Sequence, residues 1–515
     1  MDPVRLIAFG LISAFVLLTI LRFVVAPLDR FDEGVTVLKG MLVSLGEMPY
    51  RDFWTSYGPL DSYILGAVFK VFGTDVLVER LLAAAIAIAF ACVSYWFLTR
   101  LGLARPMRFL MTGMLALVPI SIPDVVPAVI ADMTGIAVFG LFFLWLERPR
   151  RSLVFWGGVL TGLVSFTRPE FVAVLAGGIA CGYLVLALTR RREALTALVL
   201  YGLAAAGVAA IVWVPTVLTA GLSTLYFDIV VHDLSIFPQG RSIPLGSGDD
   251  GRAVIIFTTC FVLVWIWGLT RAIRQRHDSI ELARIVALLF SAILVFAWVK
   301  TRADAPHAME AWPLTALLLG LLLRRRRPTP ARSPGAEKAI SLLALLVFDL
   351  AVSALAFRDL QRPTTPGASV ARATIVGQRS WISTPQLNQL VAAIDRAVPP
   401  GAPIFVGLQH NDPAVFNDSM LYFLSNRRPG TVYEEFIPAL TTTDAIQQVM
   451  VCQLQKAGVR LAILGPNTVA EPWNASARPS SARLFDWLAA HTVSRTELAP
   501  YSLLELRPDG LPPGC

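Results

Sequence analysis

The sequence has few charged residues for its length. Only 16% of its 515 residues are Asp, Glu, Lys or Arg, whereas 55% are hydrophobic and the mean hydropathy is +0.63. Soluble globular proteins carry about 25% charged residues, so this composition excludes an ordinary soluble protein. It predicts a polytopic α-helical membrane protein.

Cysteine is also scarce, with five residues in the whole chain. Cys92, Cys181 and Cys260 lie in apolar segments, where a small buried hydrophobic side chain is expected. Cys452 and Cys515 are near the C-terminus and can pair if that part of the chain is outside the cytoplasm. No spacing of Cys and His residues resembles a zinc site.

Motifs for soluble nucleotides are missing as well. The sequence has no Walker loop, no glycine pattern for dinucleotides and no Asp-x-Asp motif of enzymes that use nucleotide sugars. The adjacent Asp249 and Asp250 lie in a Gly- and Ser-rich loop, where solvated side chains are expected.

Long apolar runs occur throughout residues 1–357. The first, from Leu6 to Ala26, has no small-residue cleavage site and is predicted to be a retained span with a cytoplasmic N-terminus. About eleven spans are predicted, although several are shorter than the roughly 20 residues that a straight span needs. The other runs lie at 81–98, 109–122, 133–146, 153–166, 171–188, 197–218, 254–269, 285–299, 312–323 and 339–357.

Arginine clusters recur in every second loop between these runs. Because cytoplasmic loops concentrate Lys and Arg, the net charge of +8 is attributed to membrane topology and not to nucleic-acid binding. With an odd number of spans, everything after Phe357 is predicted to lie outside the cytoplasm. The predicted outer loops are 27–80, 123–132, 167–170, 220–252 and 300–311.

The composition changes after the last apolar run. Residues 358–385 are rich in Pro, Thr, Ser and Arg and are predicted to be a linker. In residues 386–515, helix-like and strand-like stretches alternate, which predicts a small extracytoplasmic α/β domain with its own core. Its role is open between carbohydrate binding and partner docking, and its deletion is predicted to leave the membrane part folded. The helices are expected near 386–397, 442–457 and 482–491, and the strands at 404–408, 460–464 and 502–506.

The first outer loop contains the acidic pair Asp32 and Glu33, about six residues after the first span. Apolar residues then recur at helical spacing from Val35 to Leu45, which predicts a helix in the membrane interface that holds the pair at headgroup level. A carboxylate pair favoured by the helix dipole is the alternative interpretation. The following segment, 48–60, combines aromatic residues with a charge pair, and an aromatic belt with a surface ion pair also explains it.

This order of motifs resembles the C-type (GT-C) membrane glycosyltransferases. The resemblance rests on Phe-Asp-Glu-Gly, Gly-Glu-Met-Pro-Tyr-Arg-Asp-Phe, Tyr-Gly-Pro-Leu, Val-Phe-Gly and Glu-Arg-Leu-Leu, which follow one another over residues 31–82. It is most similar to the branch with the protein O-mannosyltransferases, the lipid A aminoarabinose transferase and the RgtA/B/C/D-like bacterial enzymes. It covers roughly residues 1–325 and does not extend to the tail.

The resemblance implies inverting transfer of a sugar from a polyprenyl-phosphate carrier to a hydroxyl of a glycan, lipid or protein acceptor. The reaction is expected on the outer face of the bacterial cytoplasmic (inner) membrane, with membrane lipid as a further partner. Asp32 is expected to be the general base. Glu33 supports it by hydrogen bonding, by orientation or through a shared divalent cation such as Mg or Mn. The missing nucleotide motifs agree with a lipid-linked donor.

A cation is also expected at the departing phosphate. Arg168, in the turn Thr-Arg-Pro-Glu, resembles the Thr-Lys or Thr-Arg turn of the family, while its pairing with Glu170 as a structural lock is the alternative. Arg51 is the second candidate. Tyr57-Gly58 stands where the aminoarabinose transferases have Glu-Lys, so a phosphate-binding lysine is missing there. The predicted substrate pocket consists of Tyr50, Asp52, Tyr57, Asp132, Glu170, Arg302 and His307.

Two other classes of protein remain open. A transporter or flippase is also polytopic, but it is expected to have polar residues near the membrane midplane and a repeated architecture, and neither is evident. A polysaccharide polymerase or ligase uses the same carrier and places key Arg and His residues in a large outer loop. The loop 220–252, with Asp228, His232 and Arg241, is long enough for that or for a lid.

Overall fold

Helices account for 71% of the protein, as seen in a computed structural model. The structure describes residues 3–122, 124–189, 192–248, 251–324, 334–361, 383–409, 416–467, 474, 480–507 and 515. Most of the predicted linker, residues 362–382, lies outside the described residues.

The helices follow one another along the chain with short connections. They are α1 (Pro3–Val25), α2 (Asp32–Ser44), α3 (Leu60–Phe72), α4 (Val76–Arg100), α5 (Arg105–Ser121), α6 (Pro127–Glu147), α7 (Arg151–Val164), α8 (Pro169–Leu188), α9 (Arg192–Ala220), α10 (Leu222–Leu225), a π-helix (Tyr226–Ile236), α11 (Phe237–Gly240), α12 (Gly251–Arg274), α13 (Ser279–Thr301), α14 (Ala305–Leu323), α15 (Pro334–Gln361), α16 (Pro385–Ala397), α17 (Met420–Leu424), α18 (Asp444–Lys456) and α19 (Arg483–His491).

All eleven predicted apolar runs lie on helices. Among the described residues, nine helices are long and apolar enough to cross a membrane, namely α1, α4, α6, α8, α9, α12, α13, α14 and α15. The remaining two runs lie on the shorter helices α5 and α7, of 17 and 14 residues. The predicted polytopic α-helical membrane protein is therefore confirmed.

The chain divides into two compact units. Unit 1 comprises Met1–Ala26, Ala83–Pro215 and Leu245–Leu360, and unit 2 comprises Pro27–Leu82, Thr216–Pro244 and Gln361–Cys515. Unit 1 contains most of the apolar helices. Unit 2 combines the first outer loop, most of the loop 220–252 and the tail. The predicted boundaries at 357 and 385 stay a prediction.

Small residues bring helices α8 and α13 of unit 1 close together. The Ser291 hydroxyl on α13 donates a 2.6 Å hydrogen bond to the carbonyl oxygen of Val174 on α8. A Cβ atom on Gly178 would lie 2.6 Å from the Ala287 carbonyl oxygen. Such close backbone approach is typical of helices that pack within a membrane, where small residues at the interface allow it.

The tail forms a five-stranded mixed sheet with strand order β2-β1-β3-β5-β4. Strand β1 pairs in parallel with β2 and β3, whereas β5 is antiparallel to both β3 and β4. The predicted α/β domain is confirmed, and β1, β3 and β5 match the three predicted strands. Strands β2 and β4 were not predicted because the first is two residues long and the second is mostly polar. The strands are β1 (Pro403–Leu408), β2 (Arg428–Pro429), β3 (Leu461–Gly465), β4 (Thr492–Leu498) and β5 (Tyr501–Leu506).

The two tail cysteines form a disulfide. Cys452 on α18 and Cys515 have Cα atoms 5.4 Å apart, a separation typical of a bridge, which closes a loop of 63 residues. The pairing considered from the sequence is therefore present in the structure.

The sheet of the tail has a core on each face, and the two cores have different origins. One core is made by the tail alone and includes Phe405, Met450 and Leu504. The other is shared with the first outer loop, because Val37, Leu38, Met41 and Leu42 of α2 pack with Leu390, Ile394, Met420 and Leu421. Buried apolar surface stabilises both partners by about 25 cal/mol per Å², so the tail and the loop depend on each other.

Two predictions are corrected by this shared core. Helix α2 exists, but its apolar face is buried in protein and does not lie in the membrane interface. Val37 and Leu38 are fully buried. The tail is also not an independent module, and its deletion would expose this apolar face. An amphipathic pattern reports that one helix face is buried and does not say what covers it.

Gly34 on α2 lies against the backbone of α17. A Cβ atom on Gly34 would be 2.5 Å from the Met420 amide nitrogen and 3.0 Å from its Cα. That amide donates to the carbonyl oxygen of Arg30 at 3.1 Å, so α17 cannot easily move away. The glycine allows α2 to dock closely on the tail.

We expect the Gly34→Ala variant to lose about 1–3 kcal/mol of stability, the usual cost of overpacking. Thermal unfolding of the purified protein measures the effect. The matched control is Gly202→Ala on α9, where no atom lies within 4 Å of the new Cβ. The control is expected to keep or raise the melting temperature, because Ala favours helices over Gly by about 0.5–1 kcal/mol. Equal melting temperatures for the two variants would contradict the packing argument.

Candidate active site

Asp32 is the first residue of α2, and its side chain is exposed. The Asp29 carboxylate precedes it and accepts hydrogen bonds from the amides of Phe31, at 2.8 Å, and Asp32, at 3.1 Å. These bonds satisfy amides at the start of the helix, where a carboxylate also interacts favourably with the helix dipole. The loop thus presents the Asp32 carboxylate to solvent from a fixed backbone.

Glu33 is buried and is held by an arginine from the start of α4. Arg80 donates from Nε to Glu33 Oε1 at 2.6 Å and from Nη2 to Oε2 at 2.9 Å. Its Nη2 also donates to the Pro27 carbonyl oxygen at 3.1 Å, and the Asp29 amide donates to Glu33 Oε2 at 3.0 Å. Both side chains of the pair are almost completely buried. The neighbouring carboxylates therefore have opposite environments.

A divalent cation shared by Asp32 and Glu33 does not fit this arrangement. Each Glu33 oxygen already accepts from Arg80, and the guanidinium charge opposes a metal ion at the same carboxylate. Among the described residues, no group of three or more His, Cys, Asp or Glu side chains is arranged to hold a metal ion. The acidic pair thus provides one solvent-facing carboxylate and one arginine-bound carboxylate.

Lys39 lies two turns after Asp32 on α2 and contacts two buried glutamates of the tail. Its Nζ forms a close ion pair with Glu435 and lies 3.9 Å from Glu434 Oε1. Glu434 also accepts a 3.3 Å hydrogen bond from the Trp54 amide, and burial raises the pKa of this carboxyl above its ordinary value. This cluster ties α2 and the 48–60 segment to the tail.

The aromatic segment 48–60 contains the ion pair that was the alternative interpretation. Arg51 donates to both oxygens of Asp52, at 2.9 and 2.6 Å, and the Arg51 side chain is 48% exposed. Tyr50 has a left-handed backbone with φ of 65°, and its hydroxyl donates to the Tyr57 carbonyl oxygen at 2.6 Å. Phosphate binding by Arg51 stays a prediction, while the Tyr50 ring lines a cavity with Trp54.

The remaining predicted residues belong to unit 1. Arg168 is buried and forms a close ion pair with Glu170, and its Nη2 lies 3.5 Å from Glu310 Oε2. Asp132 is also buried, and it interacts electrostatically with Arg168 and Glu310. The proposed lock between Arg168 and Glu170 is thus present, and Glu310 is a partner that the sequence did not indicate. A role of Arg168 at phosphate stays a prediction.

Arg302 and His307 are held by a residue between them. Asp304 accepts from Arg302 Nε at 2.8 Å and lies 2.6 Å from His307 Nδ1, and it also caps α14 by accepting from the His307 amide at 3.1 Å. Burial alone would raise the pKa of Asp304, but its hydrogen bonds with His307 and the charge of Arg302 lower that pKa below the ordinary range. These three residues form one charged network in unit 1.

The loop 220–252 supplies a further arginine to unit 2. The Arg241 guanidinium lies 4.9 Å from the centre of the Phe416 ring. The same ring contacts Phe31, the residue before Asp32, with a centroid distance of 4.8 Å. Only the length of the loop and its His and Arg content indicated a role, because the partner ring lies 175 residues further along the chain.

These helices, the acidic pair of the first loop and the mixed sheet of the tail define a polytopic membrane protein with the GT-C fold. Two solved structures of that fold are those of ArnT from Cupriavidus metallidurans. The ArnT structure bound to undecaprenyl phosphate matches 96% of this chain and 97% of its own, with a TM-score of 0.61 and 13% identity. The apo structure matches 97% and 98%, with a TM-score of 0.58 and 15% identity.

The similarity is one of structure and not of sequence. No protein-family model matches the sequence, and no curated protein matches it. An oligosaccharyltransferase from Archaeoglobus fulgidus, in complex with Zn and sulfate, is more distant, with a TM-score of 0.49 and 13% identity over 88% of this chain and 68% of that one. The structural match to ArnT covers nearly the whole chain, which corrects the expectation that the tail has no counterpart.

Proposed function

We propose that the protein is an integral membrane glycosyltransferase that moves a sugar from a polyprenyl-phosphate carrier to an acceptor hydroxyl. The observation that carries the proposal is the unequal treatment of two adjacent carboxylates: Arg80 neutralises Glu33, whereas Asp32 faces solvent. The fold shared with ArnT, which was crystallised with undecaprenyl phosphate, supports the lipid-linked donor.

Asp32 is the proposed general base. The acceptor oxygen attacks the anomeric carbon from the side opposite the phosphate, so the configuration inverts. Its proton passes to the Asp32 carboxylate while the bond between the anomeric carbon and the phosphate oxygen breaks. Such a positioned base typically contributes a factor of about 10²–10⁴ to the rate. Arg80 and Glu33 fix the turn from which Asp32 acts.

The departing polyprenyl phosphate gains negative charge, which a guanidinium stabilises. Arg168 remains the first candidate from the family position and Arg51 the second. Because Glu170 and Glu310 already pair with Arg168, its role requires that phosphate replaces a carboxylate partner. Arg241 is a third candidate, since it belongs to the same unit as Asp32.

The proposed location is the outer face of the bacterial cytoplasmic membrane. The first outer loop, residues 216–244 and the tail belong to one compact unit, which supports their placement on one side of the membrane. The Cys452–Cys515 disulfide supports an oxidising compartment for that side.

The test is to incubate the purified protein in lipid nanodiscs with polyprenyl-phosphate-linked hexoses and pentoses and a membrane glycan or lipid extract. Mass spectrometry is expected to detect free polyprenyl phosphate together with an acceptor that carries one more sugar. Three results would contradict the proposal. The carriers stay intact, an oligosaccharide moves as a block as in a polymerase or ligase, or an unchanged carrier crosses the bilayer as in a flippase.

A further inference from the structure

Unit 2 contains a cavity of about 330 Å³ that none of the proposed catalytic residues lines. Its walls come from the 48–60 segment, from the start of the π-helix and from the tail beside β2. The aromatic residues Tyr50, Trp54, Phe227 and Tyr433 contribute most of the apolar surface, and Asp228 contributes the one charged group of the lining. The volume lies at the small end of ligand sites.

Asp228 is positioned by an aromatic partner. The Trp54 indole nitrogen donates to Asp228 Oδ1 at 3.1 Å, and the carboxyl is only 4% exposed. The His232 ring, one turn further along the π-helix, lies edge-on to the Trp54 ring with a centroid distance of 5.1 Å. A carboxylate offers about four lone-pair positions, so the bond from Trp54 leaves acceptor capacity for a ligand. Burial raises the pKa of Asp228 to about 6, so it is largely ionised at neutral pH.

The lining decides which ligands fit. Of the side chains that line the cavity, none is cationic, and Asp228 repels anions, so phosphate and carboxylate ligands are disfavoured. A wholly apolar ligand would leave the buried carboxylate without a new partner and would lose its hydration. The remaining chemistry is a molecule with an apolar face for the aromatic rings and a hydroxyl donor for Asp228.

The cavity is also connected to the helix that begins with Asp32. Trp54 lies next to Lys39, with the Nζ atom 5.8 Å from the indole ring. Lys39 is seven residues after Asp32 on α2, which corresponds to about 10 Å along the helix axis. A sugar ring is of the size that such a separation accommodates within one substrate.

We propose that this cavity is a sugar subsite, in which Asp228 accepts a hydrogen bond from a hydroxyl of a neutral pyranose and the aromatic side chains pack on its C–H face. This inference rests on the proposed function, since a glycosyltransferase must hold a donor sugar and, for a glycan, an acceptor sugar. Either source presents the same chemistry to the cavity.

Binding is tested on the full protein in nanodiscs, because common detergents carry sugar headgroups. Saturation-transfer NMR and titration are done with the methyl glycosides of glucose, galactose, mannose and N-acetylglucosamine. At least one glycoside is expected to bind, and Asp228→Asn and Phe227→Ala are each expected to weaken it by about tenfold or more, the size of one charge-assisted contact. The Asn amide oxygen can still accept from Trp54, which preserves the fold.

Matched controls lie on the same π-helix. Asp233→Asn removes a charge five residues away, and Leu234→Ala removes apolar surface from a side chain that is 72% exposed. Neither residue lines the cavity, and both variants are expected to bind within about twofold of the wild type. The inference is overturned if no glycoside binds, or if the cavity variants and the controls bind equally well.

Steady-state kinetics separates the two sources of the sugar and separates this inference from the proposed reaction. A higher KM of Asp228→Asn for the lipid-linked donor assigns the subsite to the donor sugar, and a higher KM for the acceptor assigns it to the acceptor. If glycosides bind through Asp228 but no lipid-linked sugar is consumed, the subsite stands and the proposed reaction fails. If transfer proceeds with unchanged binding and KM in Asp228→Asn, the reaction stands and the subsite fails.

Discussion

Replacement of Asp32 by Asn is expected to lower the rate of sugar transfer by about 10²- to 10⁴-fold, the contribution of a positioned general base. The Asn side chain has the same size but cannot take the acceptor proton. The loss should appear in kcat measured at saturating lipid-linked donor, while the affinity for the polyprenyl-phosphate carrier stays the same. Asp32 is exposed at a helix start, so the loss of its charge is expected to cost at most about 1 kcal/mol of stability.

Asp486→Asn is the matched control for this experiment. Asp486 is another exposed aspartate in the first turn of a helix, α19 of the tail. Its replacement removes the same charge from a similar position and is expected to leave kcat unchanged. Near-normal transfer by Asp32→Asn, with only a small decrease in melting temperature, would mean that Asp32 is a helix-terminal carboxylate and not the base.

The second large effect is expected at Arg80. The Arg80→Met variant leaves the Glu33 carboxylate buried without its cation, and breaking a buried ion pair in this way typically costs about 3–5 kcal/mol. The cost should be visible in thermal or denaturant unfolding. The double variant Glu33→Gln with Arg80→Met carries no uncompensated charge and is expected to recover a large part of that loss.

The comparison is with an ion pair of the same type on the surface. Arg483 pairs with Asp444 at 2.7 Å, with both side chains more than two-fifths exposed, so Arg483→Met is expected to cost less than about 1 kcal/mol. If Arg80→Met is equally mild, or if the double variant is no more stable than Arg80→Met alone, Arg80 does not hold the acidic pair in the way described. An intact fold with lost transfer would indicate that Arg80 acts directly on substrate.

The parts of the fold that depend on local patterns were predictable. Eleven apolar runs became helices, and three strand-like stretches became β1, β3 and β5, because hydropathy and period are properties of neighbouring residues. The cover of α2 was not predictable, since its apolar face reads the same against lipid as against protein. Its partners Met420 and Leu421 lie almost 400 residues away.

The candidate site shows the same division. The ion pair of Arg51 with Asp52 joins adjacent residues and was considered from the sequence. The Arg80 cation was within a quoted motif, Glu-Arg-Leu-Leu, yet its partner Glu33 is 47 residues earlier, and only folding brings the two together. A charged residue at the start of an apolar span was the one local signal that pointed to a buried partner.

The pairing of Lys39 with Glu435 links residues 396 positions apart and has a consequence for biosynthesis. At about 5–20 residues per second, a ribosome needs roughly 20–80 s to make the intervening chain. Throughout that interval the nascent α2 has neither its counter-ion nor the side chains that cover Val37 and Leu38. Enzymatic competence therefore begins only after translation ends, and a product of a premature stop codon would be inert and open to proteolysis.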